Sequence, residues 1–261
     1  MLLFIIIFSL IFFVYIHLLF HWKVSNEIDI PHILTPDKER LEIIADMRQP
    51  FIFEKHAECS LHLEGSEKQV NIRKMKELPI KISHKGMLSA IKKEPYLSED
   101  NKKFLNELPW EKEWSELDTY LKPHMNWKIE HDIIYGNKGV YTDLKYSMNN
   151  RNYICVLEGN IELKLLPPCS TKALGVSGET TSQINIWVQS ESDKKCLKDV
   201  STILIPLKKG SILHIPAYWW FTIKMNDFST VLFFSYSTYM NRLSQVPHTV
   251  KRLMKKASLP F

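Results

Sequence analysis

The side chains in this chain that could do chemistry are chiefly histidines and carboxylates, and their spacing restricts what they could do. His131-Asp132, Asp143 and His214 could close on a metal ion if the fold brought them together, since imidazole and carboxylate are ordinary ligands of divalent metals. Each also has a plainer local reading. His214 alternates with Leu213 and Ile215, which puts it on one face of a strand, and His131 beside Asp132 reads as a surface pair. His56, His62, His84 and His124 show no ligand spacing with one another. The four cysteines have neither a metal nor a disulfide spacing: Cys155 lies in an apolar run and reads as a core residue, and Cys59, Cys169 and Cys196 lie in polar, loop-like surroundings. There is no Ser-His-Asp order and no Cys-x-x-Cys, and eight glycines leave little room for a phosphate-cradling loop. Tyr218-Trp219-Trp220-Phe221 could supply a stacking wall, with Tyr218 the more plausible binder.

The elements that must position these residues change character along the chain. Thr35-Pro36-Asp37 opens a helix to about Met47, with Thr35 as the cap and Pro36 in the first turn. Residues 50–53 read as a strand, and the polar stretch 58–77 has one candidate strand at 70–73. Residues 83–92 and 98–107 read as helices, the second with Ser98, Glu99 and Asp100 in its first turn. From residue 129 the pattern is β. Runs at 129–135, 152–157, 161–166, 183–189, 201–206, 211–215, 221–225 and 230–236 are separated by polar or glycine-containing turns. Eight strands so spaced imply a sandwich or jelly roll.

Three blocks in this β region have a recognisable order. Asn152-Tyr153-Ile154-Cys155-Val156-Leu157-Glu158-Gly159 leads to Leu163-Lys164-Leu165-Leu166-Pro167-Pro168. Leu207-Lys208-Lys209-Gly210-Ser211-Ile212-Leu213-His214-Ile215-Pro216 follows, then Ala217-Tyr218-Trp219-Trp220-Phe221. With Ile30-Pro31, Arg48-Gln49-Pro50-Phe51-Ile52 and Tyr96-Leu97-Ser98-Glu99-Asp100 upstream, the ordered set resembles the cupin-like branch of the JmjC family over most of residues 28–237. The Tyr-Trp-Trp-aromatic ending is similar to that of diverged copies in large DNA viruses of eukaryotes. The resemblance implies a mainly β fold, a double-stranded β-helix (cupin or JmjC jelly roll) with flanking α-helices. It also implies descent from dioxygenases that use iron(II) and 2-oxoglutarate.

Active members hold iron with a His-x-Asp/Glu and a distant His, a facial triad that leaves open positions for cosubstrate and oxygen. Aligning Tyr141-Thr142-Asp143-Leu144-Lys145-Tyr146-Ser147-Met148 on Thr142 puts Lys145 and Ser147 at the first two ligand positions, and counting back from Asn152 puts Tyr146 and Met148 there. The third position is Phe221, and Glu158 stands where related hydroxylases carry a basic residue for 2-oxoglutarate. An acid there would repel the cosubstrate. Neither register gives an iron site, so the expectation is a non-enzyme with no cofactor. The alternative is a divergent iron(II)/2-oxoglutarate hydroxylase or demethylase using other ligands. Tyr135, Asp143, Asn152, Tyr218 and Trp220 are the candidate lining of any remaining pocket.

Residues 2–20 carry no charge and consist almost wholly of Leu, Ile, Phe and Val. A bilayer core of about 30 Å needs about 20 helical residues, so the stretch fits a transmembrane helix in contact with lipid. It lacks the basic start and small-x-small site of a cleaved signal. Lys23, Lys38 and Arg40 after the span, with only Met1 before it, place the body in the cytosol by the positive-inside rule. The expected division is an anchor over 1–22, a connector over 23–35, the cupin-like domain over 36–240 and a basic amphipathic helix over 241–261. That tail alternates Lys251, Arg252, Lys255 and Lys256 with Val250, Leu253, Met254 and Ala257. Three readings stay open for it: packing on the domain, contact with anionic lipid, or a homodimer interface. A net charge of +5, thinly spread elsewhere, argues against nucleic acid and leaves a protein partner as the expected ligand of the domain.

Overall fold

A computed structural model describes residues 1–55, 66–75, 77–108, 112–176, 179–198 and 200–257. The chain begins with α1 (Leu2–Trp22), a largely exposed helix in which Val14, His17 and Leu18 are half-buried and His21 is buried, and which is long and apolar enough to cross a membrane. A short strand β1 (His32–Ile33) and α2 (Lys38–Asp46) follow. Asp37, not Thr35, caps α2: its carboxylate accepts the Arg40 N–H, while the Thr35 hydroxyl donates to the Glu54 carbonyl. Then come β2 (Phe51–Glu54), β3 (Gln69–Lys74), β4 (Ile80–Ser83), α3 (His84–Lys93) and β5 (Tyr96–Ser98). Two short helices, α4 (Lys102–Asn106) and α5 (Lys112–Leu121), lead to the β-rich half.

That half comprises β6 (Asn126–Gly136), β7 (Leu144–Tyr146), β8 (Arg151–Glu158), β9 (Asn160–Leu166), β10 (Thr181–Ser182), α6 (Glu191–Leu197), β11 (Ile203–Lys208), β12 (Ser211–Pro216), β13 (Trp220–Met225) and β14 (Ser229–Thr238). The helices α7 (Tyr239–Ser244) and α8 (Val246–Ala257) close the described chain. Among the described residues the strands form two sheets. The larger runs β1-β2-β12-β8-β14-β6-β5-β3-β4, and the smaller β10-β7-β13-β9-β11. Consecutive strands repeatedly cross from one sheet to the other, which is the jelly-roll arrangement expected from the sequence.

Alternation along the strands sorts the side chains into three layers. Between the sheets lie Ile134, Ile154, Val156, Leu163, Leu165, Leu213, Ile215, Trp219, Phe221, Ile223 and Val231. The outer face of the larger sheet gives Ile133, Tyr135, Tyr153, Cys155, Leu232, Phe234 and Tyr236 to a second core, covered by α2 through α5 with Leu41, Met87, Phe104, Trp114 and Leu117. A third, smaller core under residues 168–187 buries Leu144, Leu166, Leu174, Ile186 and Trp220 on the outer face of the smaller sheet.

Two expected elements differ. Residues 98–107 do not start a helix at Ser98, because Leu97 and Ser98 pair with Gly136 and Tyr135 while the Asp132 carboxylate takes the N–H groups of Asp100 and Asn101. Residues 183–189 form no strand: Ser182 and Asn185 side chains accept the N–H groups of Ile184, Trp187 and Val188, so local side-chain bonds replace a ladder. Cys196 lies in α6 and Cys155 is buried; Cys59, His56 and His62 lie outside the described residues.

Gly159 closes the β8–β9 turn at φ +80°, and a Cβ there would lie 2.4 Å from the Phe228 carbonyl oxygen, whereas one at Gly139 (φ +86°) would meet open space. Both alanine substitutions incur the left-handed backbone cost, but only Gly159→Ala forces backbone apart. Urea unfolding of the full chain in detergent micelles should show a loss of about 1 kcal/mol for Gly139→Ala and about 3 kcal/mol or more for Gly159→Ala. Equal losses would mean that the β8–β9 turn relaxes freely.

Candidate functional site

The register of β7 against β13 decides which residues face the barrel interior. Lys145 pairs with Phe221 and Tyr146 with Trp220. Phe221 belongs to the core between the sheets and Trp220 to the outer layer, so Lys145 points inward and Tyr146 outward. Tyr146 accordingly packs edge-on to Trp220, with ring centroids 4.6 Å apart. Of the residues that the two registers offered, Lys145 therefore faces the interior and Tyr146 does not. Ser147 and Met148 lie just beyond β7, where the Ser147 carbonyl accepts the Tyr218 N–H at 2.8 Å and the Met148 carbonyl accepts Asn241 Nδ2 and Gln245 Nε2.

The inward position at Lys145 is filled by charge. Lys145 Nζ donates to Glu99 Oε2 at 3.2 Å, and Arg73 Nη2 donates to Glu99 Oε1 at 2.6 Å and to Asp143 Oδ2 at 3.0 Å. Glu99 keeps 12% of its side chain accessible and Lys145 26%, so the pair is largely withdrawn from water. Burial alone pushes the Glu99 carboxyl up, but Lys145 and Arg73 together outweigh it and hold it below its ordinary value. Burial likewise disfavours the Lys145 ammonium, yet Glu99, with Asp100 and Asp132 nearby, raises its pKa above the ordinary lysine range. Lys145 thus stays protonated. Asp132, on the same inner face, accepts three backbone N–H bonds, from Asp100, Asn101 and Ile133; burial still pushes its carboxyl up to about 6.

Phe221 is 2% exposed and stacks on Phe233 with centroids 5.7 Å apart. Asn152 also faces inward, held by Ser235, which donates to its Oδ1 at 2.6 Å, and by its own bonds to the Asn149 and Ile215 carbonyls. Tyr218 stands at the rim with φ +68°, half-buried against Tyr146 and His248. Asp143 is exposed and borders a cleft of about 290 Å³ with Arg73 and Glu99.

Three expected site residues lie elsewhere. Tyr135 faces the helical layer, its hydroxyl 3.2 Å from His84 Nε2. Trp220 is sealed in the outer layer with its indole N–H on Thr171 Oγ1 at 2.9 Å. Glu158 is exposed at the β8–β9 turn, at the end of the barrel opposite to Asn152, and so does not reach the inner face beside Phe221. Strand parity accounts for Tyr135 and Trp220: a one-residue change of position moves a side chain to the other face.

The conceivable rescue ligands do not converge either. His131 lies on the outer face with Nε2 2.7 Å from Asp118 Oδ1, so it is separated from Asp132 by the sheet rather than paired with it on the surface. His214 also faces outward, stacked on Phe51 at 4.6 Å with Nδ1 3.2 Å from the Gln49 carbonyl; burial pushes its pKa down to about 3. Among the described residues no group of three His, Cys, Asp or Glu side chains could hold a metal ion. An iron(II) ion does not fit beside Lys145, because a retained ammonium repels a divalent cation and Phe221 has no donor atom.

Residues 41–241 match the protein family described as the cupin-like domain. The chain belongs to the cupin-like domain family. A comparison with curated proteins finds no match. The cupin-like match begins inside α2 and ends inside α7, so it spans both sheets apart from β1 and leaves α1 and α8 outside it. The residues that sequence reasoning missed in this cupin-like domain are Arg73 and Glu99. Arg73 ends the candidate strand at 70–73 and Glu99 lies in the segment read as a helix from Ser98, and neither reading pairs the two.

Glu99→Gln strips the counter-charge from Lys145 and Arg73 and should destabilise the chain by about 3 kcal/mol at pH 7, the low end for breaking a buried pair because Lys145 is partly accessible. The Glu99 carboxyl has a folded pKa below its unfolded value, so its contribution is complete above the ordinary glutamate range and is lost as pH falls through the folded pKa. The gap between wild type and Glu99→Gln in urea unfolding should therefore close as pH falls from 5 towards 3, by about 1.4 kcal/mol for each unit of pKa depression. A gap that is constant across that range would show that Glu99 carries no depressed pKa.

Proposed function

We propose that the chain is a membrane-tethered binding or scaffold module, a cupin-like domain that has exchanged the iron and 2-oxoglutarate constellation for a fixed ion pair. The observation that carries this reading is the register of β7 and β13, which sets Lys145 opposite Phe221 with the ammonium held by Glu99. An oxygenase of this family needs a donor set open to a metal and a cosubstrate; an internal cation and an aromatic ring supply neither.

The tether is α1. Its length, its lack of charge and its exposure support a bilayer span, and Lys23, Lys38 and Arg40 behind it support a cytosolic domain. A protein partner is the proposed ligand, and the cleft bordered by Asp143, Arg73 and Glu99 is the surface offered to it. The likeness of Tyr218-Trp219-Trp220-Phe221 to viral copies supports a setting in a virion membrane or viral assembly site. Co-purification with particles, read by mass spectrometry, would be the mark of that setting.

The full chain in detergent, incubated anaerobically with iron(II) and 2-oxoglutarate, should show no charge-transfer absorption and retain no stoichiometric iron after gel filtration. It should release no succinate when oxygen is admitted, and Asp143→Ala should behave identically. Bound iron with succinate release, lost in Asp143→Ala, would establish the divergent hydroxylase instead.

A further inference from the structure

The two ends of the barrel differ in character. At the far end the turns read Asn137-Lys138-Gly139, Glu158-Gly159-Asn160 and Lys208-Lys209-Gly210, all polar. At the end that carries Ser147 and Tyr218, large apolar side chains stand in the open: Trp127 is 57% exposed, Tyr239 52%, Leu253 59% and Met254 67%. Trp127 and Tyr239 touch edge to face at 4.9 Å. On α8, Val246, Val250, Leu253 and Met254 recur at helical spacing, so their exposure forms one stripe, and this stripe is not packed on the domain.

The same end holds the exit of α1. The Trp22 indole donates to the Ser244 carbonyl at 3.0 Å, at the last residue of α7. Arg48 lies over the Phe20 ring at 4.7 Å and reaches the His21 carbonyl at 3.4 Å, one of the carbonyls that a helix end leaves without a partner. Through these contacts α1 leaves the domain beside α7, and α8 begins two residues after Ser244.

We propose that α7 and α8 lie in the headgroup layer of the bilayer that α1 crosses, with the apolar stripe of α8 in lipid and the rim at Tyr218 facing the membrane surface. The inference rests on the reading of α1 as a bilayer span. A lipid surface fits better than a second copy of the chain, because the stripe continues from a helix already docked at its lipid exit. It is also interleaved in sequence with Lys251, Arg252, Lys255 and Lys256, which suits anionic headgroups. The exposed Trp127–Tyr239 pair matches the aromatic residues that collect at that depth.

The test uses the full chain in vesicles containing phosphatidylserine, with the four native cysteines replaced. A single environment-sensitive fluorophore is then placed through Leu253→Cys, Lys209→Cys or Phe12→Cys. The expected result is blue-shifted emission at 253 and 12, lost when lipids carrying a nitroxide on the acyl chain are included, with emission at 209 unaffected. Quenching at 12 without quenching at 253 would leave the anchor standing and overturn the proposal. So would a disulfide between two 253 cysteines at high dilution, which would put a second copy on this face. Absence of quenching at 12 as well would bring down the anchor reading and the proposal with it.

Discussion

Lys145 projects from the three-residue strand β7, between β10 and β13, into the space between two sheets, and its ammonium is tolerable there only because Glu99 meets it. A buried cation without a counter-charge costs several kcal/mol, and a buried carboxylate does the same. The pairing therefore fixes more than one contact. It ties β7 of the smaller sheet to the segment after β5 in the larger one, and Arg73 extends the tie to β3 and to Asp143. On the proposed reading, the place where a family member could gather a metal is in this chain a structural junction.

The surroundings are consistent with that role. Asp132 is wrapped by backbone N–H groups, Asn152 is locked by Ser235 and two carbonyls, and Phe221 is stacked on Phe233. These three inward side chains each have an internal partner, although the indole N–H of Trp219 in the same core has none. Preorganisation of this kind rigidifies a core, whereas an oxygenase site must keep several ligand positions free for exchange. Arg151, on the outer face of the same sheet, shows the pattern again, bound by Glu42 and Asp46 of α2.

Much of the fold was legible because period-two alternation survives in the strands that build the barrel. The runs at 129–135, 152–157, 161–166, 211–215, 221–225 and 230–236 all lie within strands of the expected type. Residues 201–206 begin before the strand they predict, β11 (Ile203–Lys208). The failures have local causes. Residues 183–189 are apolar enough for a strand but are folded back by Ser182 and Asn185, and Ser98 resembles a helix cap but is held in β5 by cross-strand pairing. At the site, the order of motifs left Lys145 and Tyr146 as alternatives, and which of them faces inward required the register with β13. Arg73 and Glu99 were not legible, because ion pairs across 26 residues leave no periodic trace. The tail, expected as one helix over 241–261, is divided between α7 and α8 among the described residues, and of its three readings packing of the apolar stripe on the domain is not what the structure shows, since Leu253 and Met254 are exposed.

The apolar helix α1, the ion pair at Lys145 and the exposed α8 stripe all accord with the proposed role, in which the position of the domain is a main part of the task. In that proposed role a domain docked on its own helix exit cannot swing freely, so the surface it would present to a partner is set at a defined height and orientation. The central claim is that an ion pair occupies the family's metal position. A crystal structure of the full chain grown anaerobically with manganese(II) and 2-oxoglutarate tests it most directly. Lys145 Nζ should lie within hydrogen-bonding distance of Glu99, with no anomalous peak between β7 and β13. A peak there with three protein nitrogen or oxygen ligands, and Lys145 turned away, would contradict it.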